Sequence, residues 1–155
     1  MVRWYDGLYG GLVAGLMVAI FYAIVSVAVL HDSTLGGFFA QIASGVIKTN
    51  APLDQNPWAI AFGVGLHFTV AGFFGIVYAL AAERVASMWH APYSVLWGLF
   101  YGLLVWFTIN DVLVPALGIT SVQPLWEGLV ANTIFYGIVI SEFITVVKRS
   151  KVAAA

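Results

Sequence analysis

The chain has 155 residues, of which 62% are hydrophobic and 8% are charged, whereas soluble domains carry about a quarter charged residues. Its formal net charge of −1 excludes a basic surface for nucleic acid, and its lack of cysteine excludes disulfides, thiolate metal sites and thioether-linked haem. This composition predicts a single domain, residues 1–155, that lies almost entirely in a lipid bilayer.

Four apolar stretches are long enough to cross the roughly 30 Å hydrocarbon core of a bilayer as helices. They cover residues 8–30, 58–82, 92–117 and 125–147. The first is too long for the apolar core of a signal peptide and has no small-residue cleavage site before His31, so we expect it to remain in the mature protein. The sequence therefore predicts an all-α membrane protein, a four-transmembrane-helix bundle.

The positions of the cations predict how the bundle is oriented. Of the six Lys and Arg residues, five lie near span ends on one side of the predicted bundle, and only Lys48 lies near span ends on the other side. The others flank a common side and are Arg3, Arg84, Lys148, Arg149 and Lys151. Because Lys and Arg near span ends stay on the cytoplasmic side, we expect both termini to be cytoplasmic.

Residues 31–57 form the longest connection, which is expected on the outer side. Apolar residues recur there at roughly helical spacing opposite Gln41 and Lys48; they are Leu35, Phe38, Phe39, Ile42 and Val46. The pattern predicts a short amphipathic helix over Gly37–Lys48 on the outer surface of the bilayer, too short to span it.

The two halves of the chain share a repeated pattern of small and polar residues. Shifting the second span by 65 residues places it on the fourth, and shifting the first by 87 places it on the third. The matched pairs include His67 with Asn132, Gly72 with Gly137, Gly11 with Gly98, and Gly15 with Gly102. The pattern indicates a tandem two-helix repeat with a pseudo-two-fold axis along the membrane normal.

Small residues spaced four apart indicate where the spans contact one another, because lipid tails compete equally well for larger apolar side chains. The glycines predicted to pack helices together are Gly11, Gly15, Gly75, Gly98, Gly102 and Gly137. His67 lies on the small-residue face of the second span. We therefore expect its imidazole to face the bundle rather than lipid.

A helix rises about 1.5 Å per residue, so the position of a residue within its span gives its depth in the bilayer. By this measure, polar residues of three spans are predicted to lie in the same leaflet. This candidate intramembrane site comprises His67, Asn110, Asp111 and Asn132. For His67 two interpretations stay open: a proton carrier, metal ligand or haem ligand, or a structural hydrogen bond to Asn132 or to a backbone carbonyl. Asp111 is either part of the site or an interfacial anchor, and Pro115 predicts a kink that frees the Asp111 carbonyl.

Two glutamates complete the candidate residues. Glu127 lies in the first turn of the fourth span, where the helix dipole favours an anion, and it is a candidate metal ligand together with His67 and Asp111. Their spacing matches no recognised metal motif, and no cofactor is predicted. Glu142 is expected to form an ion pair with Arg149 or Arg84.

Several short segments resemble a group of small uncharacterised bacterial inner-membrane proteins with four spans. They are the segment from Phe38 to Val46, Gly65-Leu66-His67-Phe68, Gly98-x-x-x-Gly102, and Pro115 near the end of the third span. The resemblance implies the fold and a location in the bacterial inner membrane, and it brings no established activity. Members of that group often carry a second histidine where this chain has Asn132, which argues against a paired-histidine mechanism.

Motifs of soluble enzymes, including G-x-S-x-G, H-E-x-x-H, a Walker loop and a dinucleotide fingerprint, do not occur in the sequence. The leading prediction is a non-enzymatic accessory, scaffold or assembly module that contacts lipid, further copies of itself or other membrane proteins. The alternative is a small oligomeric transporter or channel that passes a proton, metal ion or small polar solute through the polar site.

Overall fold

The computed structural model describes residues 2–31, 33–48, 52–90, 92–119 and 125–153. Within these ranges the regular structure is helical and contains no β-strand, which confirms the all-α prediction. The longer helices are α1 (Trp4–Val29), α2 (Leu35–Ala43), α3 (Pro57–Arg84), α4 (Tyr93–Leu117) and α5 (Leu125–Ala153). Short 3₁₀ turns occupy Leu53–Gln55 and Ala86–Trp89.

Helices α1, α3, α4 and α5 are each long and apolar enough to cross a membrane. They agree in number and order with the predicted stretches, but α1 begins at Trp4 rather than at residue 8, and α5 continues to Ala153 rather than to residue 147. The extra turns carry charged residues that pair with each other, because Lys151 of α5 forms an ion pair with Asp6 of α1 at 2.6 Å. Hydropathy alone therefore predicted the start of α1 too late in the chain and the end of α5 too early.

Helix α2 is shorter than the amphipathic helix predicted for this region. It begins after Thr34, whose Oγ1 accepts a hydrogen bond from the Gly37 N–H at 2.9 Å. It ends at Ala43, where the Ser44 hydroxyl turns back to the Gln41 carbonyl. Residues 44–46 form a turn, and residues 47 and 48 have no regular structure.

The four long helices pack in the order α3, α1, α5, α4, with α2 lying across α3. We call the end of the bundle that holds residues 2–4 and 153 the terminal end, and the end that holds α2 the loop end. Val2 N–H reaches Glu83 at the terminal end, which shows that α1 and α3 are antiparallel. The fully buried side chains in the middle include Tyr78, Val105, Ile140 and Ile144.

Glycines bring the backbones of paired helices close together. A Cβ atom built on Gly75 would lie 2.6 Å from Gly11 Cα, and one built on Gly98 would lie 2.5 Å from the Gly137 carbonyl oxygen. Such distances leave no room for a side chain. The structure places each glycine that the sequence singled out at a contact of this kind: Gly11, Gly15 and Gly75 between α1 and α3, and Gly98, Gly102 and Gly137 between α4 and α5.

Candidate functional site

A cavity of about 190 Å³ lies inside the bundle toward the loop end. Its lining residues all lie between 18 and 74 or between 105 and 136, so the cavity is confined to that half of the bundle. The walls are mainly apolar and include Val18, Ile42, Val70, Phe74, Leu113 and Leu117. Polar side chains reach the cavity from every long helix and from α2; they are Tyr22, Gln41, His67, Asn110, Asn132 and Tyr136.

The imidazole of His67 is held by α1. Its Nε2 lies 2.9 Å from the Gly15 carbonyl oxygen, and because a carbonyl only accepts, Nε2 carries the proton and donates. The rings of Phe38, Phe39 and Phe68 surround the imidazole edge to face, at centroid distances of 5.1 to 5.7 Å. Of the partners considered from the sequence, the structure shows the backbone carbonyl and not Asn132.

Asn110 and Asn132 have matching hydrogen bonds on α4 and α5. The Nδ2 of Asn110 donates to the Trp106 carbonyl at 2.9 Å, and the Nδ2 of Asn132 donates to the Gly128 carbonyl at 2.8 Å. In both residues the amide nitrogen is therefore turned toward the backbone four residues earlier. The amide oxygen of each is left as a hydrogen-bond acceptor.

Three helices change to π-helical geometry in the half of the bundle toward the loop end, and two of these segments contribute residues to the cavity. The π-helical segments are Ala23–Val29 of α1, Thr108–Leu113 of α4 and Ala131–Tyr136 of α5. Wider turns of this kind occur frequently at functional sites. The only sequence signal for any of them was Pro115, which follows the α4 segment closely and lacks the N–H that would continue the regular ladder.

Asp111 does not belong to the cavity. Its side chain is exposed, and it is not among the lining residues, whereas the adjacent Asn110 is. Successive residues on a helix are rotated by roughly 100°, so Asn110 faces the interior while Asp111 faces away. The polar site expected from the sequence therefore consists here of His67, Asn110 and Asn132, without Asp111.

The structure also separates the residues considered as metal ligands. His67 lines the cavity, Asp111 faces outward, and Glu127 is turned toward α1. In the part of the chain that the structure describes, no group of three or more histidine, aspartate or glutamate side chains is placed to hold a metal ion.

Glu127 is completely buried and is bound by a residue that sequence reasoning missed. The Ser26 hydroxyl donates to its Oε2 at 2.6 Å, while no hydrogen bond reaches its Oε1 among the described residues. The indole N–H of Trp106 is also buried, and it has no hydrogen-bond partner among the described residues. Ser26 had no distinguishing sequence signal, because it is 101 residues away from Glu127 along the chain.

The ion pair expected for Glu142 is not formed. Its Oε1 accepts a hydrogen bond from the Ser94 hydroxyl of α4 at 3.0 Å, because the glutamate faces the α4 contact rather than the cationic end of α5. The cations of that end pair with other helices: Lys148 with Glu83 and Lys151 with Asp6, both at 2.6 Å.

Contacts between helices lie on both sides of the cavity along the bundle. Toward the terminal end, the hydroxyls of Tyr101 and Tyr136 donate to carbonyls of α3 at 2.5 and 2.6 Å, to Phe74 and Ala71 respectively. At the loop end, α2 covers the cavity. Lys48 follows α2 and donates to the Leu117 and Gly118 carbonyls at 3.2 and 3.3 Å, which ties this cover to the end of α4.

Comparisons of the chain with protein-family models, with curated proteins and with solved structures gave no match. Membership of the four-span bacterial group therefore stays a prediction. The fold and the site define the class of protein: it is all-helical, and four helices able to span a membrane surround a largely apolar cavity with a few polar groups.

Proposed function

We propose that this chain is an integral protein of the bacterial inner membrane, spanned by α1, α3, α4 and α5, with both termini in the cytoplasm. Many large apolar side chains on the bundle surface support insertion in lipid, among them Leu96, Phe100 and Phe107 at 52 to 60% exposure. The excess of Lys and Arg at the terminal end supports the orientation. In this arrangement α2 is an amphipathic helix at the outer surface, with its phenylalanines packed against α3.

Within that membrane setting, we propose that the protein is a non-enzymatic accessory module that binds a small, mostly apolar molecule in the cavity. The observation that carries this proposal is the cavity itself. A concave, mainly apolar space reached by a few polar side chains from different helices is typical of ligand sites. An engineered apolar cavity of about 150 Å³ binds benzene, so about 190 Å³ accommodates one small ring.

The transport alternative has less support. The cavity is confined to the loop-end half, and the tyrosine hydrogen bonds to α3 together with the glycine contacts fill the bundle beyond it. A transport path through one chain requires these helix contacts to separate.

Assembly is a second candidate function, favoured by the surface of α4. This helix has the smallest buried share of the four candidate spans, and one of its faces exposes Leu96, Phe100, Leu103 and Phe107 at helical spacing. Native mass spectrometry of gently solubilised protein tests it. An oligomer or a co-purified membrane protein is the expected result, and a strictly monomeric particle contradicts it.

The contacts of the two halves support the proposed tandem repeat. Gly11 approaches Gly72 in the first half, and their matched residues Gly98 and Gly137 approach each other in the second. Gly15 likewise adjoins His67, and Gly102 adjoins Asn132. Equivalent sequence positions therefore meet in both helix pairs, as a duplicated two-helix unit requires.

Filling the cavity tests the binding function. Val114 lines the cavity, whereas Val112 on the same helix is 52% exposed, so Val114→Phe and Val112→Phe make a matched pair. Toluene is expected to raise the thermal unfolding midpoint of the wild type and of Val112→Phe, because a ligand that binds only the folded state stabilises it. It should leave Val114→Phe unchanged. An equal response in all three proteins indicates partition into the lipid and contradicts the proposal.

A further inference from the structure

The hydrogen-bonding capacity of the cavity limits the chemistry of its ligand, an inference that rests on the proposed binding function. His67 Nε2 donates to the Gly15 carbonyl, so in the neutral ring Nδ1 has a lone pair and no proton. None of the described residues donates a hydrogen bond to Nδ1. A ligand group beside the imidazole must therefore supply a donor, because a second acceptor there leaves both groups without a partner.

The asparagines provide a complementary set of atoms. Each amide uses one N–H on a backbone carbonyl, and none of the described residues is bonded to its oxygen or to its second N–H. Both side chains line the same cavity as His67. A group that donates to Nδ1 and also accepts from an amide N–H pairs with the histidine and with one asparagine, and a hydroxyl does both.

Charge excludes ionic ligands. Among the described residues that line the cavity there is no Asp, Glu, Lys or Arg, so neither an ammonium nor a carboxylate finds an opposite charge on them. Burying an unpaired ion in an apolar space costs far more than burying a neutral hydroxyl that is hydrogen-bonded. The polar end of the ligand is therefore neutral.

Size and wall chemistry define the remainder of the ligand. About 190 Å³ holds a single ring with one small substituent, by comparison with the cavity of about 150 Å³ that binds benzene. The walls include Phe74 and also Phe38, whose ring lies 5.7 Å from that of His67, and both provide aromatic surface for edge-to-face contacts. We propose that the cavity selects a small neutral aromatic alcohol of the phenol class, whose hydroxyl donates to His67 Nδ1.

Phenol and toluene test this selection, because they have nearly the same size and differ in hydroxyl against methyl. In lipid nanodiscs the wild type is expected to bind both probes. His67→Phe keeps a ring but removes the acceptor, and it should weaken phenol binding about tenfold with little effect on toluene. Asp111→Asn, which lies outside the cavity, should change neither. For each probe, the dissociation constant of the variant is compared with that of the wild type, so that the different partition of phenol and toluene into lipid cancels.

A spectroscopic measurement keeps the test independent of how well His67→Phe folds. The chain has three histidines, so ¹⁵N labelling of histidine gives few ring resonances and His67→Phe assigns one set. Phenol should shift the Nδ1 resonance of His67 in the wild type, whereas toluene should not.

The outcomes separate the two levels of the proposal. If phenol leaves Nδ1 unshifted, or if His67→Phe weakens both probes equally, the selection for a hydroxyl is overturned while ligand binding stands. If neither probe binds the wild type, the binding function itself is overturned.

Discussion

The hydroxyl of Ser26 donates a 2.6 Å hydrogen bond to the carboxyl group of Glu127, which is 0% exposed. This contact joins the last turns of α1 to the first turn of α5 in the half of the bundle that contains the cavity. A buried carboxyl that loses its hydrogen-bond donor incurs the full cost of desolvation. The pair is therefore expected to stabilise the loop end of the bundle.

Ser26→Ala is expected to lower the free energy of unfolding by about 2 kcal/mol, because it leaves the Glu127 carboxyl without a donor. Ser150→Ala, at an exposed position where the hydroxyl only contacts its own helix, provides the control and should change stability little. The measurement is unfolding of the purified protein by titration with sodium dodecyl sulfate. Equal stabilities for the two variants would show that the Ser26 contact contributes nothing.

Gly75→Ala is expected to destabilise the protein by about 1–3 kcal/mol through overpacking, since its methyl group meets the backbone of α1 at Gly11. Gly65→Ala on the same helix is the matched control, because a Cβ atom there has nothing within 4 Å. Alanine is also the better helix former, so Gly65→Ala should be neutral or slightly stabilising. Both changes are compared in the same detergent titration, and a tolerated Gly75→Ala would contradict the close contact between α1 and α3.

Glu83→Gln is expected to cost about 1 kcal/mol, because Glu83 binds both Lys148 and the Val2 N–H at the terminal end. The loss should shrink as salt is added, since the carboxylate is partly exposed and its ion pair is screened. Asp111→Asn removes the same charge from an exposed position and serves as the control. A loss of stability that is the same for both variants would indicate an effect of net charge rather than of this pair.

The proposed orientation is tested by single cysteines, which are unique probes in a chain without cysteine. Ser150→Cys lies at the terminal end and Asp54→Cys precedes α3 at the loop end. In intact cells a membrane-impermeant maleimide should label Asp54→Cys and should reach Ser150→Cys only after the membrane is broken. The reverse pattern would place the termini outside.

The glycine contacts show how far local pattern reasoning extends. Small residues at every fourth position mark one face of a helix whatever its partner is, and the structure places Gly11 and Gly75 face to face. The choice between Asn110 and Asp111 shows where such reasoning ends. The direction in which each side chain points depends on how far the helix turns from one residue to the next. That angle differs from the α-helical value in the π-helical segment Thr108–Leu113, which contains both residues.

By itself the sequence determined that the chain is helical and where its four long apolar helices lie, because hydropathy and periodicity are properties of neighbouring residues. Only the tertiary structure decided that Ser26 binds Glu127, that Glu142 binds Ser94 instead of an arginine, and that His67, Asn110 and Asn132 share one cavity. These relationships depend on how helices far apart in the chain are rotated and placed against one another. No local pattern encodes that placement.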